Sequence, residues 1–262
     1  MANTTKILFF GDIVGKPGRG AVKAFSESFK DADFIVANVE NASHGFGLTE
    51  KNYEELAECG IDCMTAGNHI WDKKDIFGFI EGADRLVRPA NYPEGTPGVG
   101  YRIFDVNSVK IGVINLLGRN FMPVINSPVD VAEKIISEIK KVTPIIFVDF
   151  HAEATAEKIC IAKYFASLGV SAFAGTHTHV QTADEQIIDG TCGYITDAGF
   201  CGDYSGVIGM DYEISFRKMK SMLPERYEVA SSGLNQVNAV LFEIETATGK
   251  ALDVKRIFVK DI

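Results

Sequence analysis

The sequence has few cysteines, little positive charge and no long apolar run. Its 262 residues include five cysteines, an odd number with no C-x-x-C pair, which does not fit a disulfide framework. Lys and Arg number 26 against 35 Asp and Glu, a net charge of −9, so the chain lacks the cations that stable binding to nucleic-acid phosphates requires. No run reaches the roughly 18–20 apolar residues of a membrane span, and residues 1–5 lack the cationic start of a secretory signal. We therefore expect a cytoplasmic protein with no membrane and no stable nucleic-acid partner.

The apolar residues are arranged as alternating strands and helices in the first two thirds of the chain. They make up 46% of the sequence, and a chain of this size buries roughly 75% of the surface that its unfolded form exposes. Short apolar runs predict strands, and a spacing of three to four residues predicts helices. The predicted strands are residues 7–10, 34–39, 62–66, 101–106, 109–116, 145–150 and 170–174, and the predicted helices are residues 20–29, 48–58, 74–80, 129–141 and 153–168.

The last third of the chain has a different character. Residues 197–210 are rich in glycine and predict a long functional or interface loop, and residues 211–222 predict a helix. The other predicted elements are strands at residues 185–188, 194–196, 237–244 and 252–259. No internal repeat or linker is visible, so we predict one domain over residues 1–262. The predicted fold class is α/β, with two packed sheets flanked by helices.

Residues that can bind metal ions directly follow five of the predicted strands. In open α/β sheets, ligands bind outside the carboxyl ends of the strands, so we expect these five strand ends at one rim. Four of the five histidines lie there, which scattered histidines would rarely do. The five segments are Gly11-Asp12, Glu40-Asn41, Gly67-Asn68-His69, His151 and Gly175-Thr176-His177-Thr178-His179.

The residue types in this set are those of a transition-metal site. Imidazole combined with carboxylate and carboxamide oxygen suits Mn, Fe, Zn or Co better than a metal that prefers thiolate or than Ca²⁺. His177 and His179 are two residues apart, and in an extended chain their side chains would point to the same side. Two ions roughly 3.5–4 Å apart could each take one of them, with Glu40 as a bridge. We interpret Cys59 and Cys63 as buried apolar groups and not as metal ligands.

The order of these motifs is similar to that of the calcineurin-like metallophosphoesterases, whose pattern is D-x-H, G-D, G-N-H-[DE], H and G-H-x-H. Two positions depart from it, because Val14 stands where a histidine is usual and Glu40 where the bridging Asp is usual. These departures and Asn41 resemble the YmdB-type branch of bacterial phosphodiesterases, as do residues 115–119 and 196–199. The resemblance extends over essentially the whole chain. It implies the calcineurin-like fold, in which two mixed β-sheets pack together between layers of helices.

The resemblance also implies a role for each ligand. Val14 offers no imidazole, so the first metal ion would be held more weakly or differently than in the wider superfamily. Iron or manganese are the expected metals, and zinc, cobalt and magnesium are the alternatives. The implied ligands of the first ion are Asp12, Glu40, His179 and, weakly, Asn41, and those of the second are Glu40, Asn68, His151 and His177.

The chemistry that such a site supports is hydrolysis of a phosphate ester. Two cations lower the pKa of a bridging water enough to give hydroxide near neutral pH. The hydroxide attacks phosphorus in line, while the metals offset the charge on the non-bridging oxygens. The leaving oxygen needs a proton, and His69, next to Asn68, is expected to donate it as general acid. The resemblance points to nucleoside 2′,3′-cyclic monophosphates as substrates, with 3′,5′-cyclic ones as an alternative.

Several other residues near these motifs have more than one interpretation. Arg119 could clamp a substrate phosphate with two hydrogen bonds or form a surface ion pair. His44 lies in a glycine-rich loop and is a candidate for contact with substrate at the rim. Asp149 and Asp197 could each orient an imidazole ligand. The first loop resembles a P-loop, but its spacing is one residue short and Pro17 stands where Ser or Thr would bind Mg²⁺.

Two other functions are compatible with the same residues. One is a phosphomonoesterase or nucleotidase that uses the same metal site. The other is a metal-binding regulatory protein with little turnover, for which the glycine-rich segment 197–210 would make partner contacts. A small phosphodiester is the expected partner of the enzyme, and a homo-oligomer would be ordinary for a soluble enzyme.

Overall fold

The computed structural model describes residues 4–262, so the first three residues of the polar N-terminal segment lie outside the described part of the chain. Within it, no helix is long and apolar enough to cross a membrane. The strands are β1 (Thr4–Phe10), β2 (Asp12–Ile13), β3 (Phe34–Asn38), β4 (Cys63–Thr65), β5 (Leu86–Val87), β6 (Tyr101–Val106), β7 (Val109–Leu117), β8 (Ile146–His151), β9 (Ala172–Thr176), β10 (Gln186–Ile188), β11 (Cys192–Ile195), β12 (Phe200–Asp203), β13 (Asn235–Glu245) and β14 (Ala251–Lys260). The helices are α1 (Gly15–Ser28), α2 (Glu50–Glu58), α3 (Ile76–Phe79), α4 (Pro128–Ile139), α5 (Thr155–Ser167) and α6 (Tyr212–Ser221).

The strands form two mixed sheets. In the first sheet, β1, β3, β4 and β5 run parallel in that order, and β13 lies antiparallel to β1. β13 also pairs with β12 and β14, and β12 pairs in parallel with β2. In the second sheet, β7, β8, β9 and β11 are parallel neighbours, and β6 and β10 close the two edges as antiparallel strands.

Successive side chains of each strand point to opposite faces of its sheet, which divides the core into three layers. Ile7 and Phe9 of β1 face the space between the sheets, where Phe9 packs on Phe147 of β8 with ring centroids 5.0 Å apart. Leu8 and Phe10 face the other way, toward the apolar sides of α1, α2 and α3. The second sheet packs in the same manner against α4 and α5. This period of two is expected for strands that are buried on both faces. The prediction of two packed mixed sheets flanked by helices is confirmed.

Several predicted boundaries were wrong, and the largest differences concern three segments where local propensity did not decide the outcome. Helix α1 begins at Gly15, five residues before the prediction, although the first turn contains glycines and Pro17. A Cβ on Gly18 would lie 2.3 Å from the carbonyl oxygen of Cys201, so this poor helix former permits close packing. The predicted loop 197–210 contains strand β12, and the predicted helix 74–80 is reduced to α3 and a following 3₁₀ turn at Ile80–Gly82.

Candidate metal centre

The carboxyl ends of the central strands of both sheets meet at one rim. Asp12, Glu40 and Asn68 follow β1, β3 and β4 of the first sheet, and His151 ends β8 of the second sheet. The segment after β9 reaches across, since the backbone N–H of His177 donates to Oδ2 of Asp12 at 3.1 Å. The structure therefore brings together residues that are 165 positions apart in the chain.

Three acceptor atoms converge on one ring nitrogen of His151. Nε2 of this fully buried histidine lies 3.1 Å from Oε1 of Glu40, 3.2 Å from Oδ1 of Asn68 and 3.0 Å from Nδ1 of His177. One N–H group makes a well-aligned hydrogen bond to at most one of these atoms, and Oε1 of Glu40 accepts a second hydrogen bond from the amide of Asn41. A cation among the four atoms would satisfy all of them. Mixed nitrogen and oxygen donors of this kind suit iron, manganese or zinc.

A second group of donors lies beside the first. Oδ1 of Asp12 is buried and has no hydrogen-bond partner, which is rare for a carboxylate oxygen. Nε2 of His179 lies 3.8 Å from it, a gap that a shared cation would fill. Asn41 also reaches this group, but its amide nitrogen faces Nε2 of His179 at 3.1 Å and Oε1 of Glu40 at 3.2 Å. In this orientation Asn41 donates hydrogen bonds to the ligands and does not offer its oxygen.

The other nitrogen of His151 is held by a chain of hydrogen bonds. Nδ1 lies 2.9 Å from Oγ1 of Thr176, which in turn donates to Oδ1 of Asp149 at 2.7 Å. Thr65 and Asn38 donate to the other oxygen of Asp149. Asp149 thus orients the imidazole through Thr176 and not by direct contact, and the arrangement leaves Nε2 free to bind a cation. The sequence contains no pattern that identifies Thr176 in this role.

The other two histidines are held in the same manner. Nδ1 of His179 donates to the backbone carbonyl of Ile208 at 2.9 Å, so Nε2 faces the cluster. Nε2 of His177 lies 3.2 Å from Oε2 of Glu153, so Nδ1 faces the cluster. A backbone carbonyl and a partly exposed carboxylate are ordinary groups, and sequence analysis missed both. They set the tautomers that place a lone pair on each inward nitrogen.

The chain conformation at His177 and His179 differs from the prediction. The two side chains were expected to share a side because the backbone would be extended, but φ is 102° at His177 and 64° at His179. Non-glycine residues adopt such angles only where the surroundings impose them. Here the carboxylate of Asp197 accepts the backbone N–H of Thr178 at 3.1 Å, and the buried ammonium group of Lys158 lies 2.7 Å from the same oxygen. Asp197 therefore holds the main chain of this segment and does not contact an imidazole.

The glycine before Asn68 is required by the close approach of the cluster. A Cβ at Gly67 would lie 2.2 Å from Oε2 of Glu40 and 2.4 Å from Nε2 of His151. Both distances are far below van der Waals contact, and neither group can move without losing its partners. The glycine of the G-N-H motif thus makes room for the ligands.

Burial and mutual charge shift the pKa values of the cluster in opposite directions. Burial raises the pKa of Asp12. Burial also acts to raise the pKa of Glu40, but the neighbouring His151 outweighs it and lowers the value to about 2. His151 shows the converse, because burial acts to lower its pKa but Glu40 and Asp12 raise it to about 9. Burial and the charge on His151 lower the pKa of His177 to about 3. Without a cation, one proton on His151 partly neutralises the carboxylates. The donor types, the partnerless oxygen of Asp12 and the buried negative charge together fit a pair of transition-metal ions.

The place of the missing imidazole at position 14 is occupied by apolar packing. Val14 is fully buried in a small cluster with Phe200 and Met210, and Phe200 stacks on the ring of His179 with centroids 5.7 Å apart. The side chain of Val14 thus supports the wall behind His179. Position 14 supplies no metal donor, as the sequence indicates.

His69 lies beside the cluster without belonging to it. Its backbone N–H donates to Oε2 of Glu40 at 2.9 Å, and its ring nitrogen Nδ1 lies 2.8 Å from Oδ2 of Asp72. The ring edge packs on Phe46, with centroids 4.8 Å apart. Asp72 fixes the orientation of the imidazole, and His69 lines the cavity in front of the cluster. The role of Asp72 was not predicted, because a carboxylate three residues after a histidine is common in any sequence.

The two predicted substrate contacts, Arg119 and His44, lie elsewhere. Neither lines the cavity into which the cluster opens. Arg119 is exposed, and its backbone N–H donates to Glu157. His44 is exposed and lines a separate, smaller cavity that also contains Lys16. Their contact with substrate stays a prediction.

Known proteins resemble this chain over nearly its full length. The sequence profile of the YmdB-like protein family matches residues 8–257. A 2′,3′-cyclic-nucleotide 2′-phosphodiesterase of Bacillus subtilis (strain 168) is 47% identical over 98% of this chain and 97% of its own length. The crystal structure of a hypothetical protein from Thermus thermophilus superposes with a TM-score of 0.93 at 32% identity, covering 98% of this chain and 100% of that one. The crystal structure of a novel phosphatase from Mycoplasma pneumoniae superposes with a TM-score of 0.91 at 36% identity, covering 99% and 95%. The ordered ligand motifs, the two mixed sheets and these matches agree, and the chain belongs to the YmdB-like protein family, with the calcineurin-like phosphoesterase fold.

Proposed function

We propose that this chain is a phosphodiesterase that hydrolyses nucleoside 2′,3′-cyclic monophosphates at a centre of two transition-metal ions. The observation that carries the proposal is the convergence of Glu40, Asn68 and His177 on Nε2 of His151, an arrangement that a bound cation would satisfy. The Bacillus relative that shares 47% of its residues with this chain is a 2′,3′-cyclic-nucleotide 2′-phosphodiesterase, and it supports the choice of substrate. Iron and manganese are the metals that we favour for this donor set.

The ligands divide into two groups, as the sequence resemblance implies. Asp12, Glu40 and His179 would hold the first ion, and Glu40, Asn68, His151 and His177 the second. Asn41 would join the first group if its oxygen turned toward the ion; otherwise it orients Glu40 and His179. When bound, the two ions supply Lewis acidity, which lowers the pKa of a water molecule and offsets charge on the phosphoryl oxygens.

His69 would complete the reaction as general acid. Hydrolysis breaks one P–O bond of the cyclic phosphate and forms another to water, and the departing ribose oxygen takes a proton from Nε2 of His69. Asp72 accepts a hydrogen bond from Nδ1 at 2.8 Å and stabilises the protonated imidazole in this orientation. Water then returns the proton to His69. The backbone hydrogen bond to Glu40 keeps the acid beside the metal ligands.

A phosphomonoesterase that uses the same site is the second candidate. The observation in its favour is the similarity to the Mycoplasma pneumoniae protein, which is described as a novel phosphatase. We further propose that the chain forms one cytoplasmic domain. Its substrate would be a small phosphodiester, because the net charge of −9 disfavours binding to nucleic acid.

A panel of substrates separates these candidates. Protein loaded with Mn²⁺ or Fe²⁺ is assayed with 2′,3′-cyclic AMP, 3′,5′-cyclic AMP, bis-p-nitrophenyl phosphate and p-nitrophenyl phosphate. We expect the 2′,3′-cyclic nucleotide to be hydrolysed fastest, and the matched Glu40→Gln variant to lose both metal and activity. Faster hydrolysis of the monoester would favour the second candidate. Metal-loaded protein that hydrolyses no member of the panel would refute both, and full cellular function of Glu40→Gln would favour a regulatory role.

A further inference from the structure

The metal cluster opens into a cavity that is larger than a phosphate group requires. Its volume is about 830 Å³, within the range of roughly 300–1,000 Å³ that is usual for sites of drug-sized ligands. Glu40, His69, His177 and His179 form its polar end. A second part of the lining, called here the apolar wall, comes from the loop after β3, from residues 207–210 and from the segment that begins in α6 and ends at Tyr227.

The apolar wall carries two aromatic rings. Phe46 and Tyr227 are half-buried, and their ring centroids are 6.3 Å apart. Because Phe46 also packs on the ring of His69, the aromatic surface begins next to the proposed general acid. Met210 and Met219 extend the wall with flexible thioether side chains, which adapt to ligands of varied shape. The wall is suited to a flat apolar group that is attached to a phosphate at the metal end.

We propose that this wall, formed by Phe46, Met210, Met219 and Tyr227, binds the nucleobase of the substrate by stacking. The inference rests on the proposed function, since that function places the phosphate at the metal cluster. In a nucleoside cyclic phosphate the ribose separates the phosphorus from the base, so the base reaches the far part of the cavity. Every base has a flat π-face, and stacking on aromatic side chains tolerates all four.

The charges of the cavity favour a single nucleotide over a longer nucleic acid. Lys218 is the only lysine or arginine among the lining residues, and its ammonium group already lies 3.8 Å from the centre of the Tyr227 ring. Glu40 and Glu153 add negative charge at the metal end. Further phosphates would therefore meet no free cation on this wall. Few polar side chains line it, so we expect little discrimination between purines and pyrimidines.

Tyr227 provides the sharpest test, because its ring can be removed without touching the metal ligands or His69. The probes are 2′,3′-cyclic AMP and glycerol 1,2-cyclic phosphate, which has the same cyclic phosphate but no base. For Mn²⁺-loaded Tyr227→Ala we expect KM for the nucleotide to rise about tenfold, the loss of one stacking contact. We expect kcat for the nucleotide, and both constants for the glycerol ester, to stay within about twofold of wild type. Tyr227→Phe keeps the ring and should behave like wild type.

A matched control lies on helix α6, which precedes Tyr227 in the chain. Phe216 of α6 is 48% exposed and does not line the cavity, so Phe216→Ala should leave KM for both probes unchanged. Equal changes for both probes in Tyr227→Ala, or no change for either, would overturn the nucleobase assignment while the phosphodiesterase proposal stands. If wild type hydrolyses only the glycerol ester, both the nucleobase assignment and the nucleotide substrate of the proposed function are overturned, and only phosphodiesterase activity remains. Wild-type protein that hydrolyses neither probe overturns the proposed function, and this inference with it.

Discussion

The buried ion pair between Lys158 of α5 and Asp197 should stabilise both the fold and the metal-binding segment. Each residue is only 1% exposed, and Nζ lies 2.7 Å from Oδ2. Asp197 also accepts the backbone N–H groups of Thr178 at 3.1 Å and Gly199 at 2.9 Å. The carboxylate therefore connects α5 to the segment that carries His177 and His179. We predict that Lys158→Met destabilises the protein and weakens metal binding.

The magnitude follows from what the substitution leaves behind. Removing one partner of a buried pair costs about 3–5 kcal/mol, because the other charge stays buried without compensation. In a chain of this size, about 1 kcal/mol corresponds to roughly 2–4 °C in Tm, so we expect a fall of about 6–20 °C. Thr178 lies between His177 and His179, the two proposed ligands with positive φ angles. Loss of this support for the ligands should reduce metal affinity by about 10–100-fold.

The measurement is a double-mutant cycle. Urea denaturation of the metal-free protein gives the free energy of unfolding for Lys158→Met, Asp197→Asn and the double variant, and competition with a chelator gives the metal affinity of each. We expect the loss of unfolding free energy in the double variant to be smaller, by at least about 2 kcal/mol, than the sum of the losses in the two single variants. Lys163→Met is the control, since Lys163 is an exposed lysine on the same helix. Additive costs in the cycle, or a loss below about 1 kcal/mol for Lys158→Met, would refute the reasoning.

Three further predictions concern other parts of the site and fold. His69→Ala should lower kcat by about 10²–10³-fold with unchanged metal content, and Asp72→Asn should lower it less; loss of metal in His69→Ala would instead identify His69 as a ligand. Val14→His should cost about 1–3 kcal/mol of unfolding free energy, because it buries a polar ring in an apolar cluster. Elemental analysis should show no gain in bound metal, and a gain would show that position 14 faces the ions. Burial acts to raise the pKa of Asp203, but hydrogen bonds from Ser205, Ser232 and Gly233 outweigh it and lower the pKa. Its carboxylate should therefore add stability above about pH 4 that is lost as the pH falls through the lowered pKa. In urea denaturation from pH 6 to 3, the free energy of unfolding should fall less steeply with pH for Asp203→Asn than for wild type. Equal slopes for the two proteins would contradict this.

The strand-end motifs were readable in the sequence because they combine two strong local signals. Buried parallel strands such as Ile146–His151 consist of nearly unbroken apolar residues, and a histidine or carboxylate directly after such a run is conspicuous. The strands β2 and β12 were missed because they contain two and four residues and hold together only through pairing with distant segments. The length of α1 was missed for a similar reason, since Gly18 is favourable only where the backbone of Cys201 approaches it.

The sequence by itself determined the class of fold, the candidate ligand residues and the order in which they follow the strands, because these depend on residue type and local periodicity. Only the tertiary structure decided which nitrogen of each imidazole faces the cluster, that Asp72 contacts the ring of His69, and which apolar side chains line the cavity beside the cluster. Most of these features depend on contacts between residues far apart in the chain. Their residue types are common on any protein surface, so no local pattern distinguishes them before the chain has folded.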